Sequence, residues 1–428
     1  MNRPFPARPG NRVFSWLASS VNELAIVFWT CGSFYMMYAS GGQNEYFLFA
    51  PLALGAAAFF WLSCRKPVIA HVDQIVSIGV FLLVFSILGS YLFNSENYEL
   101  IAMAGNVVST LLLFFALYVV VMKIEMDLKK VLVLQAIVIN LLLPVILASS
   151  NWVWGRLEPA QLHPNYVAMM GTVAALGAMS VRSPFWMVVL GAMPLYTMSA
   201  MQSRASMIAT TSGVVIVICH YLWVRRSRQL LGRLAVLAMI GAAACIALSF
   251  VGVNVFGAIG DQISGQLLLD DDRRGLGSGA SGRSDLWAAA FNLWATHPLF
   301  GVGFKGHTQF MPDNMPAHNA FLGLLADNGL IGFIGYMIII GRSAYCLVTR
   351  GSKHVSMFAQ RAAIIFPYFL YGLVETRAFS FGNSYSLIFL LVAFDSAKTR
   401  VQPSVFTPSS PQTAMSKEAN LVRQFANH

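Results

Sequence analysis

The feature that most limits this chain is a series of apolar blocks, most of them about 16 to 23 residues, long enough to cross a hydrocarbon core of roughly 30 Å as helices. They run near residues 20–39, 47–64, 74–93, 100–122, 131–149, 165–181, 185–200, 207–223, 234–256, 318–349, 357–374 and 384–396. Lipid offers no partner to backbone amides, so such blocks close their hydrogen bonds internally, and they lack the short alternating pattern of barrel strands. Composition agrees. Of 428 residues, 57% are hydrophobic and 11% charged, less than half the roughly 25% charge of a soluble domain. A water-soluble enzyme is excluded. The expected fold is all-α: a polytopic integral membrane protein with about twelve transmembrane helices and one large exterior loop.

The net charge of +10 invites a nucleic-acid reading, but no soluble basic domain exists to carry it, so no nucleic-acid partner is expected. Placement of the charges gives the topology. With the N-terminus in the cytoplasm, 20 of the 28 Lys and Arg fall in cytoplasmic segments and seven outside: Arg156, Arg204, Arg273, Arg274, Arg283, Lys305 and Arg377. Arg342 is left inside a span. This excess is a positive-inside signal. The five cysteines lie in or beside apolar blocks without a C-x-x-C pair, so neither a disulfide framework nor a zinc site is expected. The basic residues 1–15 look like the start of a signal peptide, yet no clear cleavage site follows, and the first block reads as an uncleaved span.

The expected organisation is a cytoplasmic N-terminus (1–19), a bundle of about nine helices (20–256), an exterior loop with an amphipathic helix (257–317), about three further helices (318–396) and a disordered cytoplasmic tail (397–428). Function is sought in the loop. Its GLGSGASG run (275–282) reads as flexible linker. Ser284 and Asp285 suit a helix start, with Trp287, Phe291 and Trp294 on one face and Pro298 ending the helix. Pro316 is expected to open another helix carrying His318, Leu322 and Leu325 on one face, so that His318 sits where the chain re-enters the membrane. Gly329, Gly332 and Gly335 follow at a spacing that lets helices approach closely.

Four motifs stand together: SRAS (203–206), GRSDLW (282–287), HPLFGVG (297–303) and AHNAFLGLLADNGLIGFIGY (317–336). With the topology they resemble the O-antigen ligase and O-antigen polymerase family of bacterial cell-surface glycan assembly. The resemblance implies an inner-membrane glycosyltransferase, with no cofactor and no metal, active at the periplasmic face. The expected donor is a glycan on undecaprenyl diphosphate. The acceptor would be lipid A core for a ligase, or a second lipid-linked glycan for an O-antigen or exopolysaccharide polymerase. By the family pattern Arg204 and Arg283 grip the diphosphate and His318 is the base. The motifs do not separate ligase from polymerase.

That chemistry asks for such residues. A lipid diphosphate is already a good leaving group, so fixed cations mainly need to stabilise the charge it gains, and arginine offers a permanent charge with a bidentate fork. The acceptor hydroxyl must lose a proton, and cations near a histidine favour the neutral ring that accepts it. Each residue also has a plainer reading: Arg204 as an interfacial anchor, Arg283 as a solvated loop charge, His318 as a cap. Arg156, His163, Asn165, Asn319 and Arg377 are further substrate-binding candidates, with interfacial packing as the alternative. Glu375 and Arg377 read either as a mutual surface pair or as a second phosphate contact. His297 fixes a turn, and the run Asp270 to Asp272 is assigned no metal. A transporter or lipid-linked glycan flippase is the rival from another class, which the span count alone fits equally well. Transporters place ionisable groups near the midplane, and here Arg342 and Asp327 are the only clear candidates within a span, against seven basic residues outside. A membrane scaffold is a third.

Overall fold

The computed structural model describes residues 20–39, 45–63, 68–93, 100–153, 156–160, 162–181, 183–225, 279–303, 306–351, 355–375 and 383–400. The block at 234–256, the run Asp270 to Asp272, Arg377 and both termini lie outside these. Within them the chain is mostly helical with little strand. Before the loop come α1 (Val21–Ala39), α2 (Glu45–Ser63), α3 (Gln74–Phe93), α4 (Leu100–Lys123), α5 (Leu128–Ala148), α6 (Pro164–Ala178), α7 (Pro184–Ala200) and α8 (Arg204–Arg225). Then follow α9 (Gly279–Thr296), the single turn α10 (His307–Phe310), α11 (Ala320–Gly351), α12 (Val355–Val374) and α13 (Ser384–Ala397). Four short strands pair antiparallel: β1 (Ala70–Val72) with β4 (Lys398–Arg400), and β2 (Ser150–Val153) with β3 (Arg156–Pro159).

Among the described residues five helices are long and apolar enough to cross a membrane: Gln74–Phe93, Leu128–Ala148, Arg204–Trp223, Ala320–Thr349 and Met357–Val374. Other apolar helical segments, such as Pro184–Ala200 and Ser384–Ala397, are shorter. The outer faces carry exposed Phe28, Phe81, Leu141, Phe185, Val188, Ile208 and Val215. An apolar exterior of this kind suits lipid and would be a liability in water.

Two helices are buried all round. In α6 every residue but Asn165 is buried, and in α13 all fourteen are. A helix apolar on every side belongs at the centre of a bundle. Small residues let α6 sit there, since a Cβ on Gly177 would meet the Leu132 carbonyl oxygen at 2.4 Å. Helix starts follow local chemistry: the Asp127 side chain accepts from the Lys129 and Lys130 amides to start α5, and Asn383 accepts from Ser386 to start α13.

The closest pairing is α11 against α3. A Cβ on Gly335 would lie 2.6 Å from the Gly79 carbonyl oxygen, and one on Gly332 would lie 2.4 Å from Ser86 Oγ. Gly332 and Gly335 thus serve the close approach expected of them. Gly329 does something else. It breaks α11 at φ +60, ψ −169, which strips backbone groups on both sides of their helical partners. The segment 298–303 supplies replacements. Val302 and Gly303 amides donate to the Ala326 and Asp327 carbonyls at 2.8 and 2.9 Å, while Leu330 and Ile331 amides donate to Pro298 and Leu299 carbonyls at 2.8 and 3.2 Å. Ser86 Oγ donates to the Asn328 carbonyl at 2.7 Å. The HPLFGVG motif is therefore the mate of the broken helix, and Gly301 (φ +68) and Gly329 (φ +60) are where the two backbones touch.

Polar contacts sort by end of the bundle. At one end Arg342 forks onto Asp73, Nε to Oδ1 at 3.0 Å and Nη2 to Oδ2 at 2.9 Å, while Asp395 pairs with Arg361 and Lys398. The β1–β4 ladder lies with them. Arg342, left by the sequence reading inside a span, is thus tied to the residue that precedes α3. At the other end lie the starts of α6, α8 and α11 and the end of α12.

Two local expectations are corrected. The helix of the loop begins at Gly279, not at Ser284, so part of the expected linker is helical. Its buried side is Ala290, against Met311 and Ala317, whereas Phe291 is half exposed. In addition, α11 starts at Ala320 rather than near Pro316, because Asn319 Oδ1 accepts from the Phe321 and Leu322 amides at 2.9 and 3.1 Å. His318 precedes the helix instead of riding on it.

Candidate functional site

The second end of the bundle gathers residues from distant parts of the sequence. Arg156 opens β3 and is buried; its Nε donates to the Met201 carbonyl at 2.8 Å and its Nη2 to Asn165 Oδ1 at 2.9 Å. Asn165 Nδ2 then donates to Glu375 Oε2 at 2.7 Å. The other carboxylate oxygen, Glu375 Oε1, lies 3.9 Å from His318 Nδ1, the two side chains being 2% and 19% exposed. Hydrogen bonds thus run from a guanidinium through an amide to a carboxylate, and the carboxylate faces an imidazole across a longer 3.9 Å gap. The Tyr371 hydroxyl donates to the Asn165 carbonyl at 3.3 Å, steadying the middle of the path.

The arginines of the motifs come to the same end. Arg283, on the first turns of α9, donates from Nη1 to the Val374 carbonyl at 2.9 Å. That carbonyl belongs to the residue before Glu375. Arg204 is the first residue of α8, three residues after Met201, whose carbonyl Arg156 holds. The turn between them needs Gln202 at φ +47.

His318 itself stands at φ +50. A non-glycine residue in the left-handed region costs about 1 to 3 kcal/mol and persists where its surroundings over-determine it. Asn319 holds the chain on the C-terminal side by capping α11. The N-terminal side is held by Ala317, fully buried against Ala290 and Met311.

Several sequence candidates have local duties. His163 caps α6, its Nδ1 accepting from the Asn165 amide at 3.3 Å. Asn319 spends its carbonyl oxygen on the α11 cap. The His297 carbonyl accepts from the Gly301 amide at 3.0 Å, in keeping with a turn role. Glu375, expected with Arg377 as either a surface pair or a second phosphate contact, is buried and bonded to Asn165. It is the acid that the sequence reading did not carry into the site. Asp327, offered as an intramembrane charge for transport, instead accepts from His307: backbone amide and Nδ1 both lie 2.8 Å from its Oδ1. His307 was not singled out at all. Nothing in sequence ties it to a carboxylate twenty residues on.

The described residues thus form a helical bundle, five of whose helices are long and apolar enough to cross a membrane, with a buried polar cluster and accompanying arginines at one end. Residues 186–337 match the family model described as O-Antigen ligase, a match that supports the O-antigen ligase and polymerase family. No curated protein matches the chain. The family is one of glycosyltransferase-type enzymes acting on lipid-linked glycans, and the match supports a membrane glycan ligase or polymerase. Arg204, Arg283 and His318 fall within the matched segment. Arg156, Asn165 and Glu375 fall outside it, and only the fold brings them to His318.

Proposed function

We propose that this chain transfers an oligo- or polysaccharide from undecaprenyl diphosphate to an acceptor hydroxyl at the periplasmic face of a bacterial inner membrane, as an O-antigen ligase or as an O-antigen or exopolysaccharide polymerase. The observation that carries the reading is the path from Arg156 through Asn165 and Glu375 to His318, with Arg283 bonded to the residue before Glu375.

In this reading the acceptor hydroxyl gives its proton to His318 as its oxygen bonds to the anomeric carbon. The bond from that carbon to the phosphate oxygen breaks at the same time, and the departing diphosphate keeps the electron pair. Arg204 and Arg283 meet the charge that develops there, the term that matters most for such a leaving group. Glu375 stands beside Nδ1, which leaves Nε2 as the nitrogen for the acceptor. At 3.9 Å the contact is too long for a hydrogen bond and becomes an ion pair only when the ring is protonated. A carboxylate so placed orients the ring and stabilises the imidazolium formed when the proton arrives. Asn165 and Arg156 in turn keep Glu375 aimed. The cationic charge comes from the protein, so chelators are expected to leave the enzyme active.

The test is reconstitution. Purified protein is given lipid-linked oligosaccharide alone and then with lipid A core. Longer lipid-linked chains in the first arm identify a polymerase; glycan on lipid A core in the second identifies a ligase. Bound donor with no product in either arm, together with its movement across a vesicle membrane, would replace this reading with the flippase.

A further inference from the structure

We infer that His307 and Asp327 are positioning residues for His318: a buried imidazole and carboxylate that lock the backbone one residue before the base. The inference rests on the reading of His318 as the base and extends it to a pair outside the path through Glu375.

Three contacts carry it. Asp327 Oδ1 accepts from the His307 amide and from His307 Nδ1, each at 2.8 Å, with both side chains buried (4% and 9% exposed). On the far side of the ring, His307 Nε2 accepts from the Ala317 amide at 3.5 Å. A backbone amide can only donate, so it selects the tautomer with the proton on Nδ1, which is the proton Asp327 needs. The ring is a strut between a carboxylate on α11 and the peptide that leads into His318.

The strut has something to hold. His318 is in the left-handed region, where a non-glycine residue stays only if its neighbours leave no alternative. Asn319 fixes the following residue, and the strut fixes the preceding one. Asp327 is itself anchored where α11 breaks, its carbonyl accepting from the Gly303 amide. The path from HPLFGVG to His318 is therefore continuous: the segment mates with the broken helix, the broken helix carries Asp327, and Asp327 holds His307 against Ala317. None of these groups needs to touch substrate, so they act through geometry alone.

Two conservative variants separate geometry from bulk. Asp327→Asn keeps a carbonyl oxygen, and the His307 amide holds that oxygen in place, so the strut survives without charge. His307→Asn keeps a donor for Asp327 but is too short to reach Ala317, so the strut is cut while the buried carboxylate stays bonded. Misplacing a reacting group by about 1 Å costs on the order of 10²-fold. The expectation for His307→Asn, and for His307→Ala and Asp327→Ala where they fold, is a fall in kcat of about ten- to a hundredfold. Affinity for lipid-linked donor, read by equilibrium binding, should stay within about twofold of wild type, as the donor is held by the arginines. Asp327→Asn should keep most of its kcat.

A double variant completes the test. If His307 acts through His318, adding His307→Asn to His318→Ala removes nothing more, because groups acting as a unit are not additive. Wild-type kcat in His307→Asn, or an equal loss in the presence and absence of His318, would overturn the inference while leaving the base reading intact. Full turnover in His318→Ala alone would overturn both.

Discussion

Arginine, histidine and carboxylate each bring a different capability to the clustered end, and substitution can separate them. Arg204→Ala and Arg283→Ala should each lower turnover by about 10² or more, the usual cost of one lost transition-state donor. Lysine should restore only part of it, since charge returns without the fork. Steady-state rates of the purified variants decide this, and near-wild-type rates in both alanine variants would remove the diphosphate clamp. Glu375→Gln keeps an acceptor for Asn165 but loses the charge beside His318. Its kcat should fall while donor affinity holds, whereas unchanged kcat would reduce Glu375 to packing. Short motifs in the sequence single out Arg204, Arg283 and His318, and the fold brings all three to one end of the bundle. Glu375, Asn165 and Arg156 were not legible as a unit. The bond that joins Asn165 to Glu375 crosses 210 residues and exists only once the start of α6 and the end of α12 are brought together.

At the scale of elements, the decisive feature is a helix broken on purpose. The sequence showed three glycines at helical spacing and their use in close packing, and for Gly332 and Gly335 that use is observed. It did not show that Gly329 would leave the helical region, because positive φ at one glycine depends on the partner that takes up the freed backbone groups. That partner, the segment 298–303, lies in what read as a turn. A Cβ on Gly329 would meet the Leu299 carbonyl carbon and oxygen at 2.3 Å, and one on Gly301 the Ala326 carbonyl oxygen at 2.4 Å. Gly329→Ala and Gly301→Ala should therefore destabilise by at least about 1 to 3 kcal/mol, combining an unfavourable φ with backbone overlap. Gly341→Ala is the control: it meets open space on the same helix, and by propensity it should be neutral or gain about 0.5 to 1 kcal/mol. Thermal melts in detergent compare the three, and equal behaviour of Gly329→Ala and Gly341→Ala would deny the lock. The helix start at Asn319 follows the same lesson. Proline at 316 was a reasonable first position by propensity, but the capping side chain three residues on sets the boundary.

For the whole molecule, the apolar blocks that fall among the described residues match the helices closely, since periodicity and length are local properties of the chain, while only five of those helices meet the length and hydropathy of a full span. The pairing of ends is a property of the packed bundle. It separates Arg342, Arg361 and Lys398 with their acids from Arg156, Arg283, Glu375 and His318. By the positive-inside count Arg361 and Lys398 of the first group are expected in the cytoplasm and Arg156 and Arg283 of the second outside, with Arg342 following its partner Asp73 to the first end. Single cysteines at Ser278 or Asn314, in a background without native cysteines, are expected to react with an impermeant thiol reagent from outside, and cysteines at Ser227 and Ser409 to be protected. Labelling of Ser227 would invert the assignment and turn the site away from a periplasmic donor. The central claim, that this end of the bundle transfers glycan with His318 as base, is tested most directly by His318→Ala with donor binding and product formation measured on one preparation at neutral pH. A base supplies about 10² to 10⁴-fold, so His318→Ala should keep near-normal donor affinity while product formation falls by that factor. Undiminished product at neutral pH, with donor bound as in the wild type, would contradict it.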